Sequence, residues 1–589
     1  MAKEFKPKST AKARQIADEI VDKVGDYETN MSGFMSKVGE WGDLFQVRLP
    51  ERKKKTFSNP RLTEFFRAVN TLGTMMYRMQ TAQDPFFDLV PMSLLRYEGQ
   101  LMRIQAALET QLEESQYKRN LLKADMGMCA FGTQIVEEHL ETIGINPFGR
   151  RVPVTTFKPR SLLQVAFERG TTDIQTADWI ATMDLISDSG ILSLDDDNTQ
   201  EWESRMIEEA AKDKSPSAEL NQFILNRLTR ARFIGVGDNG VALRKEILRF
   251  NGKLDTMNDN VEYCAVLINR KYLVQFYPNR NQHGKRDFRI AHWVEDPLTL
   301  DPLSLGVGAI AGNLHKSMDA NRQRATDAIA FASYNMFERL RDAGINDDEL
   351  KIRPMQIIDM DMHGGIKPIL TDLRGADASL KLEDVLRNEF MAASGATPTL
   401  QAQLTDATAS EVSLAQNEAV RNISVKAELS ADPFVREHLR IMHSNNVQFV
   451  KQPIRVNKAG FAGMVYPKDL QCDVDFKIKI TTDKDYKPQR LTQIKEVIAI
   501  LTSTKSMHPD MANIRIAPLV RELIRGLGVN PSEVISEGPP DPAMLQAMGA
   551  ARGGAGQTQG MEGAPGVPMT PAEDVISTPV GPVMGSSNI

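Results

Sequence analysis

The chain has 589 residues, of which 41% are hydrophobic and 25% charged, with a mean hydropathy of −0.32 and a formal net charge of −6. That length allows several domains or one large elaborated one, and the acidic balance argues against a strongly basic DNA binder. Three widely separated cysteines, Cys129, Cys264 and Cys472, exclude a disulfide framework or a CxxC metal site. No apolar run is long enough to cross a bilayer, and the opening "MAKEFKPKSTAKARQIADEI" lacks a signal-peptide core, so a cytosolic-type soluble protein is expected.

In chain order, residues 9–24 read as a charged helix. Residues 60–83 place Leu62, Phe65, Phe66, Val69, Leu72, Met75, Met76 and Met79 at helical spacing, and a third helix comes after Pro91, over about 93–124. After Gly132 the period shortens, and "TQIVEEHLETI", "RVPVTTFKP" and "LLQVAFERG" read as strands and turns. Helix returns at 200–230. The clearest β region is 231–294, where "ARFIGVGDNGVALRKEILRF" reads as two strands around an Asp-Asn-Gly turn, "VEYCAVLINRKYLVQFYP" as another pair and "KRDFRIAHWVE" as a further strand.

From 303 an apolar stripe runs through Val307, Ile310, Leu314, Met318, Asn321, Ala325, Ile329, Ala332, Met336 and Leu340, which predicts one helix on the order of 54 Å long. A β-prone insert covers 350–370 and a further helix about 378–393. The loop "SGATPTLQAQLTD" leads into a long helix opened by Thr408 and Glu411 at capping-box spacing. Pro433 cannot donate to the Leu429 carbonyl and disfavours helix at Asp432, so a kink or break is expected there. Residues 470–482 alternate as a strand, 488–536 hold two more helices, and 537–589, rich in Gly, Pro, Met and Ala, read as a disordered tail.

The candidate motifs favour no catalysis. Gly235-Val-Gly237-Asp-Asn-Gly240 spells G-x-G-x-x-G, but the segment after Gly240 is strand-like and the position 20 residues on is Asn260, so it reads as a hairpin turn. Asp359, Asp361 and His363 share one face of a strand and could hold a hard metal; an exposed polar face is the more common reason. His438 and His443 are five apart, off helical zinc spacing, and Asp195-Asp196-Asp197 reads as a solvated loop. No P-loop and no GxSxG occurs. "ERKKKT" (51–56) reads as an exposed loop, and Lys316, Arg322 and Arg324, interleaved with Asp319 and Asp327, argue for inter-helix salt bridges. No catalytic, cofactor-binding or metal residue is assigned.

This order of elements, with "SGATPTLQAQLTDATASEVSLAQNEAV" as a loop leading into a Thr-x-Ser-Glu-Val helix start, resembles the portal (head-to-tail connector) proteins of tailed bacteriophages, especially short-tailed ones. The resemblance covers roughly 50–535 and implies a mixed α/β, helix-rich subunit. Its regions would be a wing with an N-terminal helical arm (1–302), a first stem helix (303–344), a clip (345–372) and a second stem helix (373–393). After these would come a tunnel loop (394–407), a long kinked helix (408–452), a strand return to the wing (453–487), a crown (488–536) and the tail (537–589). Where the family often carries an aromatic–glycine motif before the first stem helix, this chain reads "LSLGVG" (303–308), with no Tyr.

The resemblance further implies a non-enzymatic, cofactor-free ring, dodecameric, at one capsid vertex of the virion, assembled in the host cytoplasm. Its partners would be further copies of itself, the major capsid protein, a separate terminase motor, tail adaptor proteins and the double-stranded DNA passing through, with no membrane. Thr397, Thr399, Gln401, Gln403 and Thr405 would face that DNA; short polar side chains suit sliding, whereas a basic channel would hold phosphates. Two alternatives are another virion structural protein (a tail adaptor or internal core protein) and a metal-dependent nuclease using Asp359, Asp361 and His363.

Overall fold

A computed structural model of the chain describes residues 10–48, 60–83, 85–92, 98–145, 151–171, 173–194, 203–213, 244–279, 281, 286–295, 298, 302–333, 336–339, 366–369, 374–396, 421–458, 461–480 and 496. The fold is mixed helix and sheet. Among the described residues, no helix is long and apolar enough to cross a membrane.

One body is built on a five-stranded antiparallel meander: β4 (Val165–Phe167), β5 (Trp179–Ser187), β6 (Arg244–Gly252), β7 (Tyr263–Ile268) and β8 (Tyr272–Pro278). Successive side chains of a strand point to opposite faces. Ile247, Val266 and Ile268 therefore pack with Ile191 and Ile207 of two short helices, α5 (Asp188–Leu192) and α6 (Ser204–Lys212). Leu248, Phe250 and Leu267 pack instead under α1 (Thr10–Phe45), whose buried stripe includes Ile16, Ile20, Val24, Tyr27, Met31, Met35, Val38 and Trp41. α1 thus runs well past the expected end at 24. Gly25, Gly33 and Gly42 resemble breakers, yet a Cβ at any of them would meet nothing within 4 Å, so they sit on the open side of an uninterrupted helix.

The second body joins a three-stranded sheet to helices. β2 (Thr133–Ile145) lies between β3 (Arg151–Arg160) and β9 (Phe288–His292), all antiparallel. Against it pack α3 (Glu98–Glu114) and α4 (Tyr117–Phe131), and α2 (Glu64–Thr81) packs on α4. The single helix expected over 93–124 is divided at Gln116, which adopts φ 53°. Tyr117, directly after that turn, is fully buried. A short strand not foreseen from the sequence, β1 (Phe87–Pro91), pairs with β14 (Val474–Ile478), which lies inside the expected strand 470–482. A hairpin of β12 (Ile454–Lys458) and β13 (Phe461–Val465) was likewise not foreseen.

The helix expected from 303 begins at Val307, within the Tyr-less stretch, and ends at Ser333 (α7, Val307–Ser333). Its 27 residues span about 40 Å instead of about 54 Å. The chain then becomes β10 (Met336–Arg339), paired antiparallel with β11 (Ile366–Ile369). Met336 and Leu340 are four apart, a spacing that suits a strand as well as a helix, which is why the apolar stripe overran. Next in the chain is α8 (Arg374–Ser394). The α7–α8 pair is antiparallel: Phe390 packs on His315 while Glu383 meets Arg322.

Glycine sets the root of α7. Gly132 (φ 91°) and Gly306 cross backbone to backbone: a Cβ on Gly132 would lie 2.1 Å from the Ser304 carbonyl oxygen, and one on Gly306 2.2 Å from the Gly132 nitrogen. Hydrogen bonds lock the crossing, with Ser304 N–H donating to Thr133 Oγ1 (2.8 Å) and Trp293 N–H to the Gly132 carbonyl (2.7 Å). A Cβ on Gly308 would meet the Trp41 ring at 2.6 Å, so α1 seats against the same root.

Candidate functional site

The longest described helix of the C-terminal part, α9, runs from 421 through Phe449. The helix does not end at Pro433 but continues through it. Proline brings no N–H, so the Leu429 carbonyl loses its usual donor. The backbone widens one turn instead: Asp432–Arg436 is a π-turn, and the Glu437 N–H donates to the Asp432 carbonyl, five residues back. The extra residue turns Phe434, Val435 and His438 into the core.

A buried polar seam surrounds this turn. The Tyr117 hydroxyl donates to the Phe434 carbonyl (3.0 Å), and its ring stacks on His438 with centroids 4.9 Å apart. His438 Nδ1 lies 3.0 Å from Glu138 Oε1, and the other Glu138 oxygen is 3.8 Å from Arg289 Nη2. Arg289 Nη1 donates to the carbonyls of Arg286 (2.7 Å) and Phe288 (2.5 Å), while its Nε and Nη2 make no hydrogen bond among the described residues. One carboxylate thus serves two cation-capable groups at the point where α9 crosses β9.

One turn earlier, Gln80 Nε2 donates to Ser430 Oγ (2.8 Å). Asp125 beside it is fully buried, and neither of its oxygens has a hydrogen-bond partner among the described residues. Burial pushes its carboxyl well above the ordinary carboxylate range, against a weaker opposing pull from Gln80. The buried Cys129 thiol is raised too, first by burial and then by Asp125. Lys426 holds its ammonium 3.7 Å from the centre of the Trp293 ring, and burial lowers its pKa. Lys426, Trp293 and Arg289 line a cleft of about 1030 Å³ that opens along α9, β9 and the end of α8.

A second charged group roots the α7–α8 pair. Asp319 accepts from the Leu62 N–H (2.9 Å) and faces Arg61 at 3.4 Å; Arg387 reaches Glu64 (3.1 Å) and Glu383 (3.2 Å). Arg322 also pairs with Glu383, and Lys316 with Glu40. The expected inter-helix pairing of Lys316, Arg322 and Asp319 is therefore present, whereas Arg324 is exposed. His315 sits fully buried between Phe65 and Phe390, with no hydrogen bond at either ring nitrogen among the described residues and Nδ1 3.6 Å from Asp319. Burial lowers its pKa more than Asp319 raises it.

Of the residues singled out in the sequence, Pro433, His438 and His443 are described, as are the three cysteines and the charged residues of α7. His443 Nε2 lies 2.8 Å from the Cys472 carbonyl, so the two histidines serve separate partners. Thr397, Thr399, Gln401, Gln403, Thr405, Thr408 and Glu411 lie outside the described residues, as do Asp359, Asp361, His363, Gly235–Gly240, Asp195–Asp197 and the 51–56 run. Among the described residues no group of three or more His, Cys, Asp or Glu side chains is placed to hold a metal ion. Sequence reasoning missed Asp125, Arg289 and His315, because a lone charge in an ordinary helix or strand carries no pattern. Compared with known proteins, the chain matches no family model and no curated protein.

Proposed function

We propose that this chain is a portal-type subunit of a tailed bacteriophage, a non-enzymatic ring that conducts double-stranded DNA and carries motor and tail. The observation that carries this reading is the α7–α8 pair: two antiparallel helices bound to the body at one end, leading at the other into the β10–β11 pair. On this reading α7 and α8 are the stem, the segment between β10 and β11 belongs to the clip, and 394–407 is the tunnel loop. α9 is the beam from channel to rim, the sheet-bearing residues before 303 form the wing, and 488–536 the crown. The copies would form a dodecamer at the capsid vertex of the virion, after assembly in the host cytoplasm. Capsid protein, terminase motor and tail adaptors would be its partners.

Electron microscopy of the purified chain tests the reading: turbine-shaped rings with a central hole are expected. Filaments, plain tubes or monomers at every concentration would instead favour another virion structural protein. Substituting Thr397, Thr399, Gln401, Gln403 and Thr405 together is expected to impair DNA packaging or retention and leave rings intact; loss of rings would remove 394–407 from the channel. Divalent-metal-dependent DNA cleavage abolished by Asp361→Ala would favour the nuclease.

A further inference from the structure

We propose that His315 is an acid-sensitive latch: neutral, it holds the root of the α7–α8 pair against the start of α2, and protonated, it loosens that joint. The device lies within a single chain and does not depend on ring formation. Three helices meet at this imidazole. It is 0% exposed, with the Phe65 ring of α2 at 6.2 Å between centroids and the Phe390 ring of α8 at 5.9 Å. Neither ring nitrogen has a hydrogen-bond partner among the described residues, so packing alone seats the neutral ring.

The charged groups around it come from each of these helices. α7 supplies Asp319, 3.6 Å from Nδ1, and Arg322; Arg61 and Glu64 stand at the start of α2, and Glu383 and Arg387 on α8. Lys316, next in sequence, pairs with Glu40 of α1 on the exposed side. Glu64 and Glu383 are engaged with Arg387 (3.1 and 3.2 Å), and Glu383 with Arg322 as well. Asp319 alone among the described carboxylates is paired with the ring, and it too is engaged, accepting from the Leu62 N–H (2.9 Å) and facing Arg61 at 3.4 Å.

A neutral imidazole carries one N–H and an imidazolium two. Charging the ring here would bury a cation with one distant acceptor at Nδ1 and none at Nε2, a costly arrangement. Drawing Asp319 onto Nδ1 would offset part of that cost, but it would take the carboxylate from Leu62 and Arg61, the contacts that tie the start of α2 to α7. Either response weakens the same joint. Burial lowers the His315 pKa, against weaker opposing pulls from Asp319 and Glu64. The opened joint therefore takes up the proton first, so closure is fully favoured above the ordinary 6.5 and weakens as pH falls from there toward the lowered value. Asp319 works in the opposite sense: burial raises its carboxyl, so its protonation would favour the closed joint as pH falls.

Amide hydrogen exchange of the full-length chain, corrected for the intrinsic effect of pH and read by mass spectrometry at about pH 7.5 and about pH 5.5, tests the latch. Protection over 62–72 and 311–322 is expected to fall roughly threefold or more at the lower pH, with about tenfold per pH unit the ceiling for one proton, while β7 and β8 keep theirs. His315→Phe puts a ring that cannot titrate between Phe65 and Phe390, and is expected to hold the same protection at both pH values. Unchanged wild-type protection, or an acid loss that persists in His315→Phe, would overturn the latch. Asp319→Asn is the second variant: it keeps an acceptor for the Leu62 N–H and deprives His315 of its carboxylate, so the acid loss should deepen. A loss abolished by Asp319→Asn would assign the titration to Asp319 and overturn the proposal.

Discussion

The sheet-bearing body and the α9 seam both bury charge, but they resolve it differently. In the first, Arg270 chelates Glu28 of α1 (2.8 and 3.0 Å) and Glu246 of β6 (2.9 Å), pinning the helix to the sheet. Arg160 of β3 joins Glu137 of β2 (2.5 Å) to Asp184 of β5 (2.8 Å), tying the three-stranded sheet to the five-stranded one, and His139 backs Glu137 at 3.0 Å. Burial pushes the Glu137 carboxyl up, but His139 and Arg160 together hold it well below the ordinary range. In the seam and at the root of the α7–α8 pair, Asp125, Arg289 and His315 keep buried polar atoms without hydrogen bonds among the described residues. A saturated network resists change, while open donors and acceptors leave room for a partner or a second arrangement.

The joint between the two regions is where the contrast breaks most severely. Gly132→Ala would force a Cβ against the Ser304 carbonyl at a backbone angle that L side chains rarely adopt, and should cost about 4 kcal/mol or more in a denaturant unfolding series. Arg270→Met should come next, at about 3–5 kcal/mol, because it strands two buried carboxylates. A loss under about 1 kcal/mol would show that the network is not what secures α1.

In the seam the sign reverses. Asp125→Asn should stabilise the protein at neutral pH by about 1–3 kcal/mol, the cost of an unsatisfied buried group. A folded pKa raised above the ordinary 3.8 means the folded state binds the extra proton, so wild-type stability falls as pH rises from that value through the folded one. The advantage of the variant should therefore grow with pH across that window in paired melting curves. Glu137 works in the opposite sense: its contribution is present above the ordinary carboxylate range and fades as pH falls through its depressed value. Glu137→Gln should flatten the acid limb of the curve. The smallest effect belongs to Pro433→Ala. If the packing of Phe434 and His438 holds the π-turn, restoring the missing N–H should move the melting midpoint by an amount equivalent to about 1 kcal/mol or less.

Element types were largely legible in the sequence, and their partners were not. The alternation in 263–278 gives β7 and β8, but nothing in "KRDFRIAHWVE" says that β9 leaves its neighbours in sequence to pair with β2. The hairpin between β7 and β8 turns on Asn269 and Arg270, both at positive φ, an unusual place for arginine that its carboxylate partners sustain. Period reading failed where two periods coincide, as at Met336 and Leu340, and where a local turn is dictated from afar, as at Gln116. Pro433 announced itself as an irregularity, but whether a helix breaks or widens depends on the core it faces. The cleft was invisible because Val425, Leu429, Trp293 and Lys426 meet only after α9 crosses the end of β9.

That widened turn also sets a phase. Inserting one residue into a helix advances everything beyond it by roughly 100° relative to an unbroken α-helix. The stretch before Pro433 therefore shows Val425 and Leu429 outward, while the stretch after it sends Phe434 and His438 inward, and the two halves are out of step by design of the backbone. Moving the extra residue along the helix by a turn would rotate only the part it crosses, like a dislocation gliding through a lattice. Pro433 fixes the place of that offset, because there the helix lacks its donor.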